Sequence, residues 1–148
     1  MLTPSASVSA VAGVAFAAWA VWLCVVDFRE HRLPDVWVLP AYPVALAWSG
    51  WLHPGTSLDV CGAAALTMAA AYVLHRLTGL GLGDVKLIGV CVILVAPTGE
   101  FASAFVAIAL IGGIHALIHA AIVRDLRSDI PFGPAILTGT ALTLLASI

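Results

Sequence analysis

The chain has 148 residues, of which 62% are hydrophobic and only 9% are charged. A soluble domain of this size would be about a quarter charged, so the composition excludes an ordinary soluble domain and indicates an integral membrane protein. The net charge of −2 provides no basic patch for nucleic acid.

Six apolar segments follow one another along the chain, each bounded by charge, proline or glycine. Their approximate ranges are 7–27, 36–52, 58–76, 84–97, 101–123 and 131–148. Several come near the roughly 20 residues that a helix needs to cross a bilayer, whereas the fourth is short and opens on glycines. We therefore predict an all-α polytopic membrane protein with about six transmembrane helices, which form a single domain over residues 1–148 in contact with the lipid bilayer.

The positive charges alternate between the connections of these segments. All six lie in the first, third and fifth connections, namely Arg29, Arg32, Arg76, Lys86, Arg124 and Arg127. By the positive-inside rule, these connections face the cytoplasm and both termini face the outside. We therefore predict a multi-pass protein of the cytoplasmic (inner) membrane, with its first and third connections on the same, cytoplasmic, side.

Two carboxylates adjoin apolar runs in those two connections. Asp27 directly follows the end of the first run, and Asp84 directly precedes the fourth. Taken singly, each is explained as an interfacial charge at a helix end, but ionisable groups at membrane depth are costly and usually functional. Gly81 and Gly83 remove side chains beside Asp84, which permits the close approach of an extended peptide. We therefore predict that Asp27 and Asp84 meet as a catalytic pair.

The chemistry of such a pair suits the hydrolysis of peptides. Neighbouring carboxylates resist joint ionisation and titrate together. Because a helix C-terminus disfavours an anion and an N-terminus favours one, we hypothesise that Asp27 more often holds the shared proton than Asp84. One carboxylate takes a proton from water while the other polarises the scissile carbonyl and then protonates the leaving amine. This reaction requires no covalent intermediate, metal or cofactor, and we predict none.

The histidines have simpler explanations than metal binding. His115 and His119 are four residues apart and share a helix face, but the glutamate of an HExxH zinc site is missing. Hydrogen bonds between helices explain them equally well. His31 and His75 lie near the cytoplasmic boundary, where they either tune the acidic pair or are solvated.

Three motifs occur in order along the chain. The first is Asp27 followed by Pro34 and Asp35, the second is Gly81-Leu-Gly83-Asp84-Val85-Lys86-Leu87, and the third is Ile130-Pro131-Phe132-Gly133-Pro134. In this order, and with six apolar segments, the chain resembles over nearly its whole length the type IV prepilin peptidases. These enzymes and their archaeal preflagellin relatives are membrane aspartyl proteases of the GxGD type. Apart from the resemblance, Asp35 after Pro34 is expected to cap the second helix.

The resemblance implies an aspartic endopeptidase that removes the short leader of a prepilin- or pseudopilin-type membrane protein on the cytoplasmic side. It implies that Asp27 and Asp84 are the catalytic residues. The other motif positions are implied to have structural or substrate-positioning roles, namely Pro34, Asp35, Gly81, Gly83, Lys86, Pro131, Phe132, Gly133 and Pro134. The size resembles short members of the family, some of which serve Flp/Tad-type pili. Long members carry a CxxC zinc region that this sequence does not match, so methyltransferase activity is not expected.

Two other classes of function remain open. A small proton-coupled transporter would use Asp27 and Asp84 as a proton relay, although both acids lie near one face and no inverted repeat is visible. A pilus-assembly scaffold would keep the fold without cleaving anything, although the intact aspartates argue against it. Replacing either aspartate by asparagine would discriminate, because a scaffold would tolerate the change.

Overall fold

The computed structural model describes residues 6–78, 80–123 and 131–147, and the described residues form helices joined by short connections, without a strand. The helices are α1 (Ala6–Glu30), α2 (Asp35–Val38), α3 (Ala41–Leu52), α4 (Ser57–Thr78), α5 (Leu82–Val95), α6 (Phe101–Val123) and α7 (Gly133–Ala146). A single 3-10 turn, Ala96–Thr98, extends α5. The all-α prediction is confirmed, and six helices remain when the one-turn α2 is not counted.

Three of these helices are long and apolar enough to cross a membrane, namely Val8–Glu30, Ser57–Thr78 and Phe101–His119. Helices α3, α5 and α7 have only 12, 14 and 14 residues. At 1.5 Å per residue they measure about 18–21 Å, less than the roughly 30 Å of a hydrocarbon core. The six transmembrane crossings therefore stay a prediction, as does the orientation. Arg124 and Arg127, on which the orientation partly depends, lie outside the described residues.

The second apolar segment is divided, where a single helix was expected. Helix α2 ends at Val38 and α3 begins at Ala41, with Leu39 and Pro40 between them. Proline has no backbone N–H and its ring clashes with the preceding helical turn. The break at Pro40 shortens α3 and separates α2 as one turn that lies against α5.

Helix α5 is the centre of the fold. It packs against α3, α4 and α7, and ten of its residues are buried, which explains why its sequence is apolar around almost the whole circumference. Gly89 gives this helix its closest neighbours, because a Cβ atom there would clash with the Tyr42 hydroxyl and lie 2.5 Å from Met68 Sδ. The helix that begins with Asp84 is thus held on several sides.

Helix α7 packs closely against α6 through glycines. A Cβ atom at Gly139 would lie 2.6 Å from Ile108 Cγ1 and 2.8 Å from its backbone nitrogen. At the other end of the contact, a Cβ atom at Gly112 would lie 2.5 Å from the ring of Phe132. The two glycines therefore allow α6 and α7 to approach one another closely, and the first residue of α7 lies beside α1.

Candidate active site

Asp27 lies in the last turn of α1 and is buried, with only 4% of its surface exposed. Helix α1 ends at Glu30, and His31 adopts a left-handed conformation with φ of 49° while its N–H still donates to the Asp27 carbonyl at 2.9 Å. Such a left-handed residue is a common way to end a helix. The chain leaves the helix axis at His31, and the Asp27 side chain one turn earlier lies inside the bundle.

The third motif meets this carboxylate directly. The backbone N–H of Gly133, the first residue of α7, donates to Asp27 Oδ2 at 3.0 Å. A Cβ atom at Gly133 would lie 2.7 Å from the same oxygen, so only glycine permits this approach. Asp27 thus sits at the positive end of the α7 dipole. The sequence-based hypothesis that Asp27 more often holds the proton took into account only the dipole of α1, which disfavours an anion at Asp27. The dipole of α7 acts in the opposite direction, and the hypothesis remains untested.

The other members of the third motif prepare this contact. Pro131 is buried, Phe132 is half-buried against Gly112, and Pro134 occupies the first turn of α7, where a proline costs no hydrogen bond. Ile130 lies outside the described residues. The motif therefore places one backbone donor, the Gly133 N–H, against Asp27. The sequence alone did not reveal this role.

Asp84 is the third residue of α5 and is also buried, with 8% of its surface exposed. Its carboxylate bends back beside Gly81, the residue that caps α5, and interacts with the Gly81 backbone. A carboxylate at this position commonly reaches back to the capping residue. A Cβ atom at Gly81 would lie 2.9 Å from Asp84 Oδ2, so glycine makes room for the bend.

The second oxygen of Asp84 has no such partner. Oδ1 is buried and accepts no hydrogen bond within the described part of the chain. Buried polar atoms are almost always paired, and an unpaired one calls for an explanation. A water molecule or a substrate peptide group at Oδ1 would supply the missing bond.

Asp27 and Asp84 are 57 residues apart in sequence, and both are buried and interact electrostatically. Leu33 lies between the two supports of the site. A Cβ atom at Gly83 would lie 2.7 Å from Leu33 Cβ, and one at Gly133 would lie 3.4 Å from Leu33 Cδ1. Both glycines, one beside each aspartate, thus pack on one residue of the α1–α2 connection. The catalytic pairing of Asp27 and Asp84 stays a prediction.

Asp35 does not cap α2, contrary to expectation. Pro34 takes the capping position in an extended conformation, and no side chain caps the helix. Lys86 Nζ instead donates to both carboxylate oxygens of Asp35, at 2.6 and 2.8 Å. The ion pair joins the first motif to the second, a contact between distant segments that local capping rules do not anticipate.

Two histidines lie near Asp27. The ring of His115 packs edge-on against Phe28 with the centroids 5.9 Å apart, and both His31 and His115 interact electrostatically with Asp27. His115 was considered for metal binding, and its proximity to the acidic pair was missed; its only sequence signal was an ionisable group in an apolar segment. Among the described residues, no three metal-ligating side chains cluster.

His75 lies on the other side of the site. Its Nδ1 donates to the carbonyl of Leu80, immediately before Gly81. Because this contact ties the end of α4 to the connection before α5, His75 supports the backbone that carries Asp84. His75 is thus a structural neighbour of the second motif. From the sequence alone it could either tune the acidic pair or be solvated.

Comparison with known protein families gives a match. The model of the type IV leader peptidase family matches residues 14–117, which is more than half of the chain. The matched range includes Asp27 and Asp84. No curated protein and no solved structure matches the chain.

Proposed function

The chain belongs to the type IV leader peptidase family, and from that premise we propose that it is an aspartic endopeptidase whose catalytic residues are Asp27 and Asp84. The observation that carries the proposal is the presence of two buried carboxyl groups, each beside a glycine that packs on Leu33, one carboxyl group having an oxygen without a partner among the described residues. Close carboxyl groups that cannot both ionise are suited to divide the roles of acid and base.

The proposed reaction needs one water molecule and the two carboxyl groups. The ionised carboxylate takes a proton from water, and the resulting oxygen attacks the carbonyl carbon of the scissile peptide while the protonated carboxyl donates to the carbonyl oxygen. Collapse of the tetrahedral intermediate breaks the C–N bond, and the nitrogen leaves as an amine after it receives a proton. The backbone N–H of Gly133 holds Asp27 in place through these steps, and the close approach of Asp84 to Gly81 holds Asp84.

The proposed substrate is a prepilin- or pseudopilin-type membrane protein, and the proposed product is its mature form without the short leader. The positive-inside rule supports a site on the cytoplasmic side of the cell membrane, because Arg29, Arg32, Arg76 and Lys86 flank the two acidic segments. The low content of charge and the three long apolar helices support a multi-pass protein.

The test is leader cleavage in membranes. A prepilin encoded near this protein is co-expressed with it, and the size of the prepilin is followed for the wild type, Asp27→Asn and Asp84→Asn. Asp59→Asn is the matched control, because Asp59 is an exposed carboxylate in the first turn of α4. Loss of a general acid or base costs about 10²–10⁴-fold, so we expect cleavage by the wild type and the control only. Equal cleavage by all four proteins would remove both aspartates from catalysis and refute the mechanism.

A further inference from the structure

The ion pair between Lys86 and Asp35 lies beside the acidic pair without being part of it. Lys86 Nζ contacts both oxygens of Asp35, at 2.6 and 2.8 Å, and the two side chains are 33% and 55% exposed. An ion pair as exposed as this contributes little to stability. Its importance therefore has to come from what it holds in place.

The pair closes one face of α5 onto the α1–α2 connection. Gly83 and Lys86 are three residues apart and so share a face of the helix. Gly83 packs on Leu33 and Lys86 binds Asp35. This face of α5 therefore contacts residues 33 and 35 of the neighbouring segment at two points. Asp84 is displaced by about 100° around the helix axis from Gly83 and is directed to a neighbouring side.

A third contact restrains the same turn from α3. The Tyr42 hydroxyl donates to the backbone carbonyl of Lys86 at 2.7 Å. Gly83 is thus held by packing, the Lys86 backbone by a hydrogen bond, and the Lys86 side chain by a charge. Asp84 lies between these restraints, so a rotation or a slide of α5 that would move its carboxyl group must break at least one of them.

We propose that Lys86 and Asp35 are positioning residues, which fix the rotation of α5 and thereby align Asp84 with Asp27. The proposal rests on the proposed function, because alignment is defined by the reaction of the two aspartates. Neither residue contacts the reacting atoms. The ammonium group of Lys86 is engaged with both oxygens of Asp35, so its role is to hold the helix and not to bind the substrate.

Charge exchange tests the proposal by kinetics. The variants are Asp35→Asn, Lys86→Gln and the double exchange Asp35→Lys with Lys86→Asp, and Lys86→Arg is the conservative control. A misplacement of about 1 Å at a reacting group can cost about 10²-fold, so we expect kcat to fall about tenfold or more in Asp35→Asn and in Lys86→Gln. KM should stay within about twofold, and the exchange and the arginine variant should recover much of the lost kcat.

A distance measurement tests the same proposal without relying on activity. Spin labels are placed at Val36 on α2 and Leu82 on α5, both of which are exposed, after Cys24, Cys61 and Cys91 are replaced by alanine. The label-to-label distance distribution should be narrow in this background, broaden when Asp35→Asn is added, and narrow again with the charge exchange.

The outcomes separate the two proposals. An unchanged distance distribution in Asp35→Asn would overturn the positioning role, and so would a wild-type kcat in Lys86→Gln. A rise in KM at constant kcat would also overturn it, in favour of substrate binding by Lys86. Absence of cleavage by the wild type over a panel of prepilins would overturn the proposed function, while the spin-label distances would still decide whether the pair holds α5.

Discussion

The contact between Gly83 and Leu33 gives a sharp prediction for the variant Gly83→Ala. A Cβ atom at position 83 would lie 2.7 Å from Leu33 Cβ and 3.3 Å from the Leu33 backbone nitrogen and oxygen. Because two of these three atoms belong to the backbone, the neighbour cannot yield by changing a rotamer. The start of α5 must therefore move away from the α1–α2 connection, and Asp84, the next residue, must move with it.

The size of the movement follows from the contact. Opening 2.7 Å to the 3.4 Å of an ordinary van der Waals contact requires about 0.7 Å. Since a displacement of about 1 Å can cost about 10²-fold in rate, we expect kcat to fall by roughly 10- to 100-fold. Overpacking costs about 1–3 kcal/mol and alanine recovers about 0.5–1 kcal/mol of helix propensity, so the variant should lose at most about 2.5 kcal/mol of unfolding free energy.

The assay is leader cleavage by purified protein in detergent, with the unfolding midpoint measured on the same sample. Gly62→Ala is the matched control, because Gly62 lies within α4 and a Cβ atom there would meet nothing within 4 Å. We expect the control to cleave at the wild-type rate. A Gly83→Ala protein that is folded and also cleaves at the wild-type rate would refute the argument that this contact sets the position of Asp84.

Two further substitutions probe other supports of the site. Gly133→Ala places a Cβ atom 2.7 Å from Asp27 Oδ2 and should lower kcat by roughly 10- to 100-fold. Because displacement of the carboxylate also breaks its buried hydrogen bond with the Gly133 N–H, the unfolding free energy should fall by about 1–3 kcal/mol; Gly113→Ala, which has open space around it, is the control, and equal rates for both variants would contradict the prediction. Tyr42→Phe removes the hydrogen bond to the Lys86 carbonyl and should lower the unfolding free energy by about 0.5–1.5 kcal/mol, measured by denaturant titration in detergent; an unchanged value would show that the bond contributes nothing.

The positions of Asp27 and Asp84 at helix ends could be predicted from the sequence because local signals sufficed. Each acid adjoins an apolar run, and positive charges lie close to both acids in the first and third connections, which are predicted to face the same side of the membrane. The short fourth segment beginning at the glycines was also correctly expected, as α5 begins at Leu82. Apolar patterning and charge are properties of neighbouring residues, and they therefore appear in the sequence.

The contacts that support the acidic pair were not predictable in the same way. Asp35 was expected to cap its own helix, but it binds Lys86, 51 residues later. Similarly, the donor to Asp27 comes from Gly133, and nothing in the spacing of the third motif identifies its partner. Such pairings depend on how helices pack in three dimensions, and a single sequence contains no periodic signal for them. The break at Pro40 is different, because the residue was visible and its effect on the helix follows from its chemistry.

The hydrogen bond from Gly133 to Asp27 has a consequence for the time at which the site is completed. It joins residues that are 106 positions apart, and at about 5–20 residues per second their synthesis is separated by roughly 5–20 s. During that interval Asp27 is already present in α1, while the glycine that donates to it has not yet been made. The support of Asp27 is therefore completed only when α7 joins the bundle, and a nascent chain that stops before α7 holds both aspartates without this donor.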